Sequence, residues 1–146
     1  HFIGHLQTNK VKYIAPYITM VEAVDSLRLL KEIEKQAARH ERVIKVLLEL
    51  HIASEATKYG LTLDDCRLLL EEGEWRDMPH VQICGLMMMA FETAAAFFDE
   101  VKEKYFPADS SFCERSWGMS DDYLIAQDCR STMVRVGTSI FGPREY

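Results

Sequence analysis

The chain has 146 residues, of which 48% are hydrophobic and 27% are charged, and this composition predicts one globular domain over residues 1–146. Its 17 basic and 23 acidic residues give a net charge of −6, which argues against a general nucleic-acid binder because such proteins carry a basic face. No apolar run is long enough to cross a bilayer. The four cysteines are scattered without a C-x-x-C pair, so no structural zinc site is expected and the cytoplasm is the simplest location.

The first third of the chain predicts strands separated by a helix. Residues 2–4 have the pattern of the end of a strand, and residues 20–24 have that of a short apolar strand. Asp25 or Ser26 can then cap a helix. The apolar residues that fall on one face of this helix are Leu27, Leu30, Ile33 and Ala37. Residues 43–52, which are rich in leucine and β-branched side chains, predict a longer strand.

The rest of the chain continues this alternation. Thr62 lies three residues before Asp65, a spacing similar to a capping box, and predicts that a helix starts there. Pro79 separates this helix from the next strand. The remaining predicted elements are a strand over 81–86, a helix over 91–105, a strand over 114–118, a helix over 122–128 and a strand over 132–137.

Apolar strands that alternate with helices predict an α/β fold with a parallel sheet covered by helices. In such folds the functional groups gather at the carboxyl ends of the strands. The segments that follow the predicted strands are therefore candidates for the site: residues 4–9, 25–26, 51–58, 87–89, 116–121 and 135–138.

Two glycine-containing segments among these candidates have the features of a phosphate grip. They are S-W-G-M-S-D-D at residues 116–122 and S-T-M-V-R-V-G-T at residues 131–138. Each ends a predicted strand in small or hydroxylated residues, where outward-pointing backbone N–H groups suit an anion. Arg135 adds a fixed positive charge, with no obvious carboxylate beside it in the sequence. Ordinary turns are the alternative, since glycine-rich turns are common, but two such segments in series with an arginine favour a phosphate site.

Several strand ends carry long motifs in a fixed order. They are HFIGHLQTNK at residues 1–10, HIASEATKYG at 51–60, GLM at 85–87, SWGMSD at 116–121 and STMVRVGTSIFG at 131–142. These motifs resemble H-F-I-G-x-L-Q-x-N-K, N-I-x-x-E-x-x-K-x-G, G-L-M, S-M-G-M-S-x-D and S-T-x-V-R-I-G-x-x-I-F-G of the YggS/PROSC family of pyridoxal phosphate homeostasis proteins. The similarity extends over nearly the whole chain.

This resemblance implies a TIM-like (β/α)8 barrel related to the N-terminal domain of alanine racemase, of which this chain would cover about strands 3 to 8. It implies a protein that binds pyridoxal 5′-phosphate (PLP) and takes part in the homeostasis of that cofactor without catalysis. By the same resemblance, Ser116 and the amides around Gly137 and Thr138 hold the phosphate, and Arg135 faces the pyridine nitrogen. The residues expected to bind the cofactor are Ser116, Met119, Ser120, Arg135, Gly137 and Thr138.

The chain departs from the family pattern in its lysines and at two single positions. The first two strands of the family and their Schiff-base lysine are absent from this sequence, and no other lysine is assigned that role. Lys58 is either a peripheral anion contact or a solvated loop residue. Trp117 stands where methionine is usual, and either narrows the pocket or packs against helices. Arg130 stands where glycine is usual, and either adds charge near the phosphate or faces solvent.

A racemase-like PLP enzyme acting on amino acids is the alternative function. It would need a lysine on one face of the ring and a tyrosine base from a second domain, and neither is evident here. A metal site at His1 and His5 is not expected, since H-E-x-x-H is absent. Phosphate or sulfate in place of PLP is a further possibility. A complete protein is expected to be a monomer, whereas six strands of a barrel would expose two sheet edges and promote self-association.

Overall fold

The computed structural model describes residues 1–52, 59–143 and 145. Five strands form one sheet in this part of the chain, all parallel and in sequential order. They are β1 (Met20–Val24), β2 (Ile44–Glu49), β3 (Val81–Met87), β4 (Glu114–Met119) and β5 (Met133–Arg135). The predicted α/β fold with a parallel sheet is thus confirmed. Lys58 and the rest of the candidate segment from 53 onward lie outside the described residues.

Helices connect the strands. They are α1 (Val11–Ile14), α2 (Leu27–Arg39), α3 (Leu63–Glu72), α4 (Phe91–Tyr105), α5 (Tyr123–Asp128) and α6 (Thr138–Phe141), with 3-10 turns at Thr8–Lys10 and Glu74–Asp77. The sequence analysis did not predict α1 and α6, because four residues are too few to show a helical period of apolar side chains. Among the described residues, no helix has both the length and the apolar character that a membrane span requires.

Both predicted helix caps are present. The Ser26 side chain accepts a hydrogen bond of 3.1 Å from the backbone N–H of Leu29, at the start of α2. The Thr62 side chain accepts one of 3.1 Å from the N–H of Asp65, at the start of α3. Each bond satisfies a backbone donor that the first turn of a helix leaves without an intrahelical partner.

Both faces of the sheet carry buried apolar side chains. Alternate residues of a strand point to opposite faces, and they fall into two separate apolar clusters here. The larger cluster packs against the helices and contains the biggest fully buried side chains, among them Trp117, Phe98 and Phe112. The smaller cluster is formed by Met20, Ala23, Leu47, Cys84 and Met87. Burial raises the pKa of the Cys66 thiol to about 12 and that of Cys84 to about 11, and both thiols lie in the core as predicted.

The sheet differs from the prediction mainly at its edges. The predicted strand at residues 2–4 is reduced to a single bridge, in which Phe2 N–H donates to Met20 O and Phe2 O accepts from Glu22 N–H, both at 2.9 Å. The fifth strand ends at Arg135, two residues earlier than predicted, and α6 begins at Thr138. The described part of the chain therefore has five strands and two isolated bridges, where the sequence predicted six strands.

The structure decides between the alternatives for the two unusual side chains. Trp117 is fully buried, packs edge-on against Phe98 at 6.4 Å between ring centroids, and donates from Nε1 to Cys129 O at 3.2 Å. The Trp117 side chain therefore packs in the larger apolar cluster and does not narrow a pocket. Arg130 adopts a left-handed backbone with φ of 62° and pairs with Asp99 at 2.6 Å on the surface.

Candidate functional site

A cavity of about 910 Å³ lies at the carboxyl ends of the strands, where a parallel sheet places its functional groups. Five of the six residues expected to bind a cofactor line it: Met119, Ser120, Arg135, Gly137 and Thr138. The segment before β1, the middle of β1 and the end of β2 contribute His1, Glu22 and Glu49, three polar residues that were not assigned to the site from the sequence. The candidate segments at 4–9 and 87–89 also reach the cavity, through Gly4, Met87 and Met89, so the sequence missed these three polar residues and not a whole side of the cavity.

Backbone donors converge on Ser120 at one side of the cavity. The N–H groups of Gly137 and Ser139 both point at Ser120 Oγ, at 3.2 and 3.4 Å. The Ser120 hydroxyl oxygen now accepts from both amides, and an anionic oxygen that takes its place can accept the same N–H groups, as in the backbone nests that bind phosphate. The Ser139 amide directly follows Thr138 and belongs to the amides around Gly137 and Thr138 that the family resemblance implied.

Arg135 is held in place by the strand next to its own. Its Nη1 donates to Ser116 O at 2.8 Å and to Ser116 Oγ at 2.7 Å, and its Nη2 contacts Met89 Sδ at 3.3 Å. Burial lowers the pKa of Arg135, whereas the nearby carboxylates of Glu22 and Glu49 act in the opposite direction. The guanidinium thus stands at the cavity wall with its orientation set by β4.

Ser116 lies behind Arg135 and is fully buried. Its hydroxyl donates to Glu22 Oε2 at 2.6 Å, across the sheet from β1. No carboxylate is obvious beside Arg135 in the sequence, but in the structure Glu22 lies one hydrogen-bonded residue away from it. A signal was present in the sequence, since Glu22 is a charged residue inside the apolar strand M-V-E-A-V.

Glu49 forms a second acidic position at the end of β2. Its Oε2 is buried without a hydrogen-bond partner in the described part of the chain. Burial, followed by the charge of Asp25, raises the pKa of Glu49. Asp25 itself pairs with His5 at 3.2 Å, and the His5 ring stacks on Tyr59 at 3.9 Å between centroids. Among the described residues no group of three or more potential ligands could hold a metal ion, and His1 and His5 pair with separate carboxylates.

Replacing Glu49 by glutamine is expected to stabilise the protein at neutral pH. Because the folded pKa lies above the usual 4.5, the folded state keeps a proton that the unfolded chain releases. Stability therefore falls as pH rises from 4.5 through the raised pKa, and the penalty persists above it. An uncharged amide avoids this penalty, so thermal melts at pH 7.5 should show a gain of roughly 3 °C, equivalent to about 1 kcal/mol.

The gain from Glu49→Gln should shrink as the pH falls below 4.5, where the carboxyl becomes protonated in the unfolded as well as the folded state. Glu34→Gln is the matched control, since Glu34 accepts bonds from His80 Nδ1 and N–H, both at 2.8 Å, and its replacement should lower the melting temperature. If Glu49→Gln raised the melting temperature equally at all pH values, the removal of an ionised carboxylate without a partner could not be the cause.

Comparison with known proteins places this site in a family. The sequence model described as the N-terminal domain of alanine racemase matches residues 2–145. The chain belongs to this family. Two relatives named pyridoxal phosphate homeostasis protein, from Aquifex aeolicus (strain VF5) and Escherichia coli (strain K12), are each 33% identical to it. The alignments include 100% of this chain but 67% and 65% of those relatives, so the chain spans about two thirds of their length. The family resemblance of the motifs is confirmed.

Solved structures agree with this assignment. PipY of Synechococcus elongatus PCC7942 with PLP bound has a TM-score of 0.81 at 28% identity, over 95% of this chain and 68% of PipY. The same protein without PLP has a TM-score of 0.85 at 29% identity, over the same shares of the two chains. Alanine racemase of Clostridium difficile 630 has a TM-score of 0.68 at 15% identity, over 98% of this chain and 39% of that one. The similarity to the racemase shows the fold alone.

Proposed function

We propose that this chain binds PLP and holds it without catalysing a reaction, as part of the homeostasis of the cofactor in the cell. The observation that carries the proposal is the arrangement of donors around one cavity. Ser120 and the amides of Gly137 and Ser139 converge at one point, and the Arg135 guanidinium stands at the end of β5. Relatives named for PLP homeostasis and a PLP-bound neighbour support the same function.

The donor set fits the two polar ends of PLP. The amides of Gly137 and Ser139, with the hydroxyls of Ser120 and Thr138, would hold the phosphate, because such neutral donors can surround its oxygens. Ser116 would serve the site indirectly, since its only proton is directed to Glu22 and it accepts from Arg135. Met119 would contribute apolar contact at the cavity wall.

Arg135 would face the pyridine nitrogen. A guanidinium has only donors, so the nitrogen that it contacts must be an acceptor and therefore unprotonated. PLP acts in enzymes as an electron sink, and an unprotonated ring is a weaker one. The residues that line the cavity in the described part of the chain include no lysine, so we propose non-covalent binding in this chain. Both features favour a binding protein over a racemase-like enzyme.

We further propose the complete fold to which this site belongs and its location in the cell. The five strands and the bridge at Phe2 would be about strands 3 to 8 of a (β/α)8 barrel, with residues 1–146 belonging to a single domain. The cytoplasm is the proposed location, because all four cysteines are unpaired, as is usual in a reducing compartment.

A titration with PLP followed by absorbance tests the proposed function. The wild-type chain should bind PLP saturably, and Ser120→Ala should weaken both PLP and inorganic phosphate about tenfold, because it removes a phosphate contact worth about 1.4 kcal/mol. Ser110→Ala, at an exposed serine away from the cavity, is the control and should leave both affinities unchanged.

Two further readouts separate the proposal from its alternatives. After incubation with PLP and borohydride, no single lysine should be labelled in preference to the other surface lysines, since no lysine lines the described cavity. The protein should not convert L-alanine to D-alanine. A lack of saturable PLP binding by the wild-type chain would contradict the binding function, and formation of D-alanine would contradict its non-catalytic character.

A further inference from the structure

Glu22 is a buried carboxylate inside the sheet. It lies in β1, is only 2% exposed, and has apolar neighbours on both sides in the strand. Burying a carboxylate is costly unless hydrogen bonds compensate it. Here both oxygens have partners: Oε1 lies 2.8 Å from His1 Nδ1, and Oε2 accepts from Ser116 Oγ at 2.6 Å. Glu22 is thus fully hydrogen-bonded and points towards β4, where Ser116 meets Arg135.

The contact between Glu22 and Ser116 determines what Ser116 can offer to Arg135. A serine hydroxyl has one proton and two lone pairs. The proton of Ser116 is donated to Glu22, so a lone pair faces Arg135 Nη1, which donates to it at 2.7 Å. The same Nη1 also donates to Ser116 O at 2.8 Å. A continuous chain of hydrogen bonds therefore links Glu22 to the guanidinium at the cavity wall.

We infer that Glu22 is a positioning residue for Arg135 and acts through Ser116, so that recognition of the ligand's ring depends on a carboxylate that lies two hydrogen bonds behind the guanidinium. This inference rests on the proposed function. Glu22 orients the Ser116 hydroxyl and places a negative charge behind the guanidinium. Arg135 is thereby directed to a neutral acceptor such as a ring nitrogen, and its attraction for a second anion is reduced.

The loss of this carboxylate has a specific consequence. Without the Glu22 charge, the Ser116 proton is no longer directed away from Arg135, and the guanidinium has lost one of the carboxylates that compensate its charge. The phosphate subsite at Ser120 and the amides of Gly137 and Ser139 makes no contact with Glu22. Recognition of the ring should therefore weaken while affinity for phosphate alone is retained.

The test compares PLP and inorganic phosphate on the wild-type chain and its variants. Glu22→Gln removes the charge with little change in shape, and should weaken PLP binding about tenfold and alter the absorption spectrum of bound PLP. Its affinity for inorganic phosphate should stay within about twofold of wild type or increase. Glu34→Gln removes the carboxylate of another glutamate–histidine pair, outside the cavity, and should change neither affinity.

Ser116→Ala keeps the inference testable if Glu22→Gln folds poorly. It should reproduce the loss of PLP affinity, and the double variant Glu22→Gln/Ser116→Ala should bind PLP no more weakly than Ser116→Ala alone, because Glu22 acts through Ser116. Additive losses in the double variant, or unchanged PLP affinity and spectrum in Glu22→Gln, would overturn the inference. Failure of the wild-type chain to bind PLP would instead overturn the proposed function.

Discussion

Replacing Gly85 by alanine should lower the melting temperature by roughly 10 °C, a cost of about 3 kcal/mol for a chain of this size. Gly85 of β3 pairs with Glu114 of β4. A Cβ at position 85 would lie 1.8 Å from the carbonyl oxygen of Glu114 and 2.7 Å from its carbonyl carbon. Both atoms belong to the backbone of a central strand, so relief of the overlap requires β3 and β4 to separate.

Thermal melts followed by circular dichroism would measure this cost, with Gly4→Ala as the matched control. A Cβ at Gly4 would meet no atom within 4 Å, so the control should melt within about 2 °C of wild type. Because Ser116 and Arg135 depend on the position of β4, Gly85→Ala should also weaken PLP binding. A melting temperature equal to that of the control would mean that the two strands do not approach as closely as the structure has them.

The elements that the sequence predicted best are those with local signals. The bounds of α4 follow from an apolar period within fifteen residues, and the caps Ser26 and Thr62 act on N–H groups three residues away. Strand ends depend instead on distant partners. The strand predicted over 43–52 ends at Glu49, although Leu50 N–H still donates to Met87 O at 2.8 Å, and Leu50 also forms an isolated bridge with Leu61. Nothing in the sequence around Leu50 indicates that contact.

The candidate site, like the strand ends, depends on residues that are distant in the sequence. Two serines of one motif, Ser116 and Ser120, were both predicted to contact the cofactor, and they have different surroundings. Ser120 lines the cavity and accepts from backbone amides, whereas Ser116 is buried against Glu22, which is 94 residues away in the sequence. The motif indicated that hydroxyls belong near the site, but only the packing of β1 against the rest of the sheet determines which hydroxyl faces a ligand.

Replacing Arg135 is expected to have the largest effect on ligand binding. Arg135→Ala should lower the affinity for PLP about a hundredfold, or about 2.7 kcal/mol, which is in the range of a hydrogen bond from a charged donor. Arg135→Lys should lose about tenfold, because an ammonium keeps the charge but lacks the planar fork that bonds Ser116 and the ligand together. Calorimetric titration with PLP and with inorganic phosphate would measure both losses.

The affinity of the variants for inorganic phosphate distinguishes the role of Arg135 from that of the Ser120 subsite. If Arg135 contacts the ring nitrogen, phosphate affinity should change by no more than about threefold in either variant. Arg130→Ala is the control, since that guanidinium pairs with Asp99 outside the cavity and should affect neither ligand. Equal losses of PLP and phosphate in Arg135→Ala would show that Arg135 holds the phosphate. The ring would then be recognised by other residues of the cavity, and the hydrogen-bonded chain from Glu22 would serve anion binding.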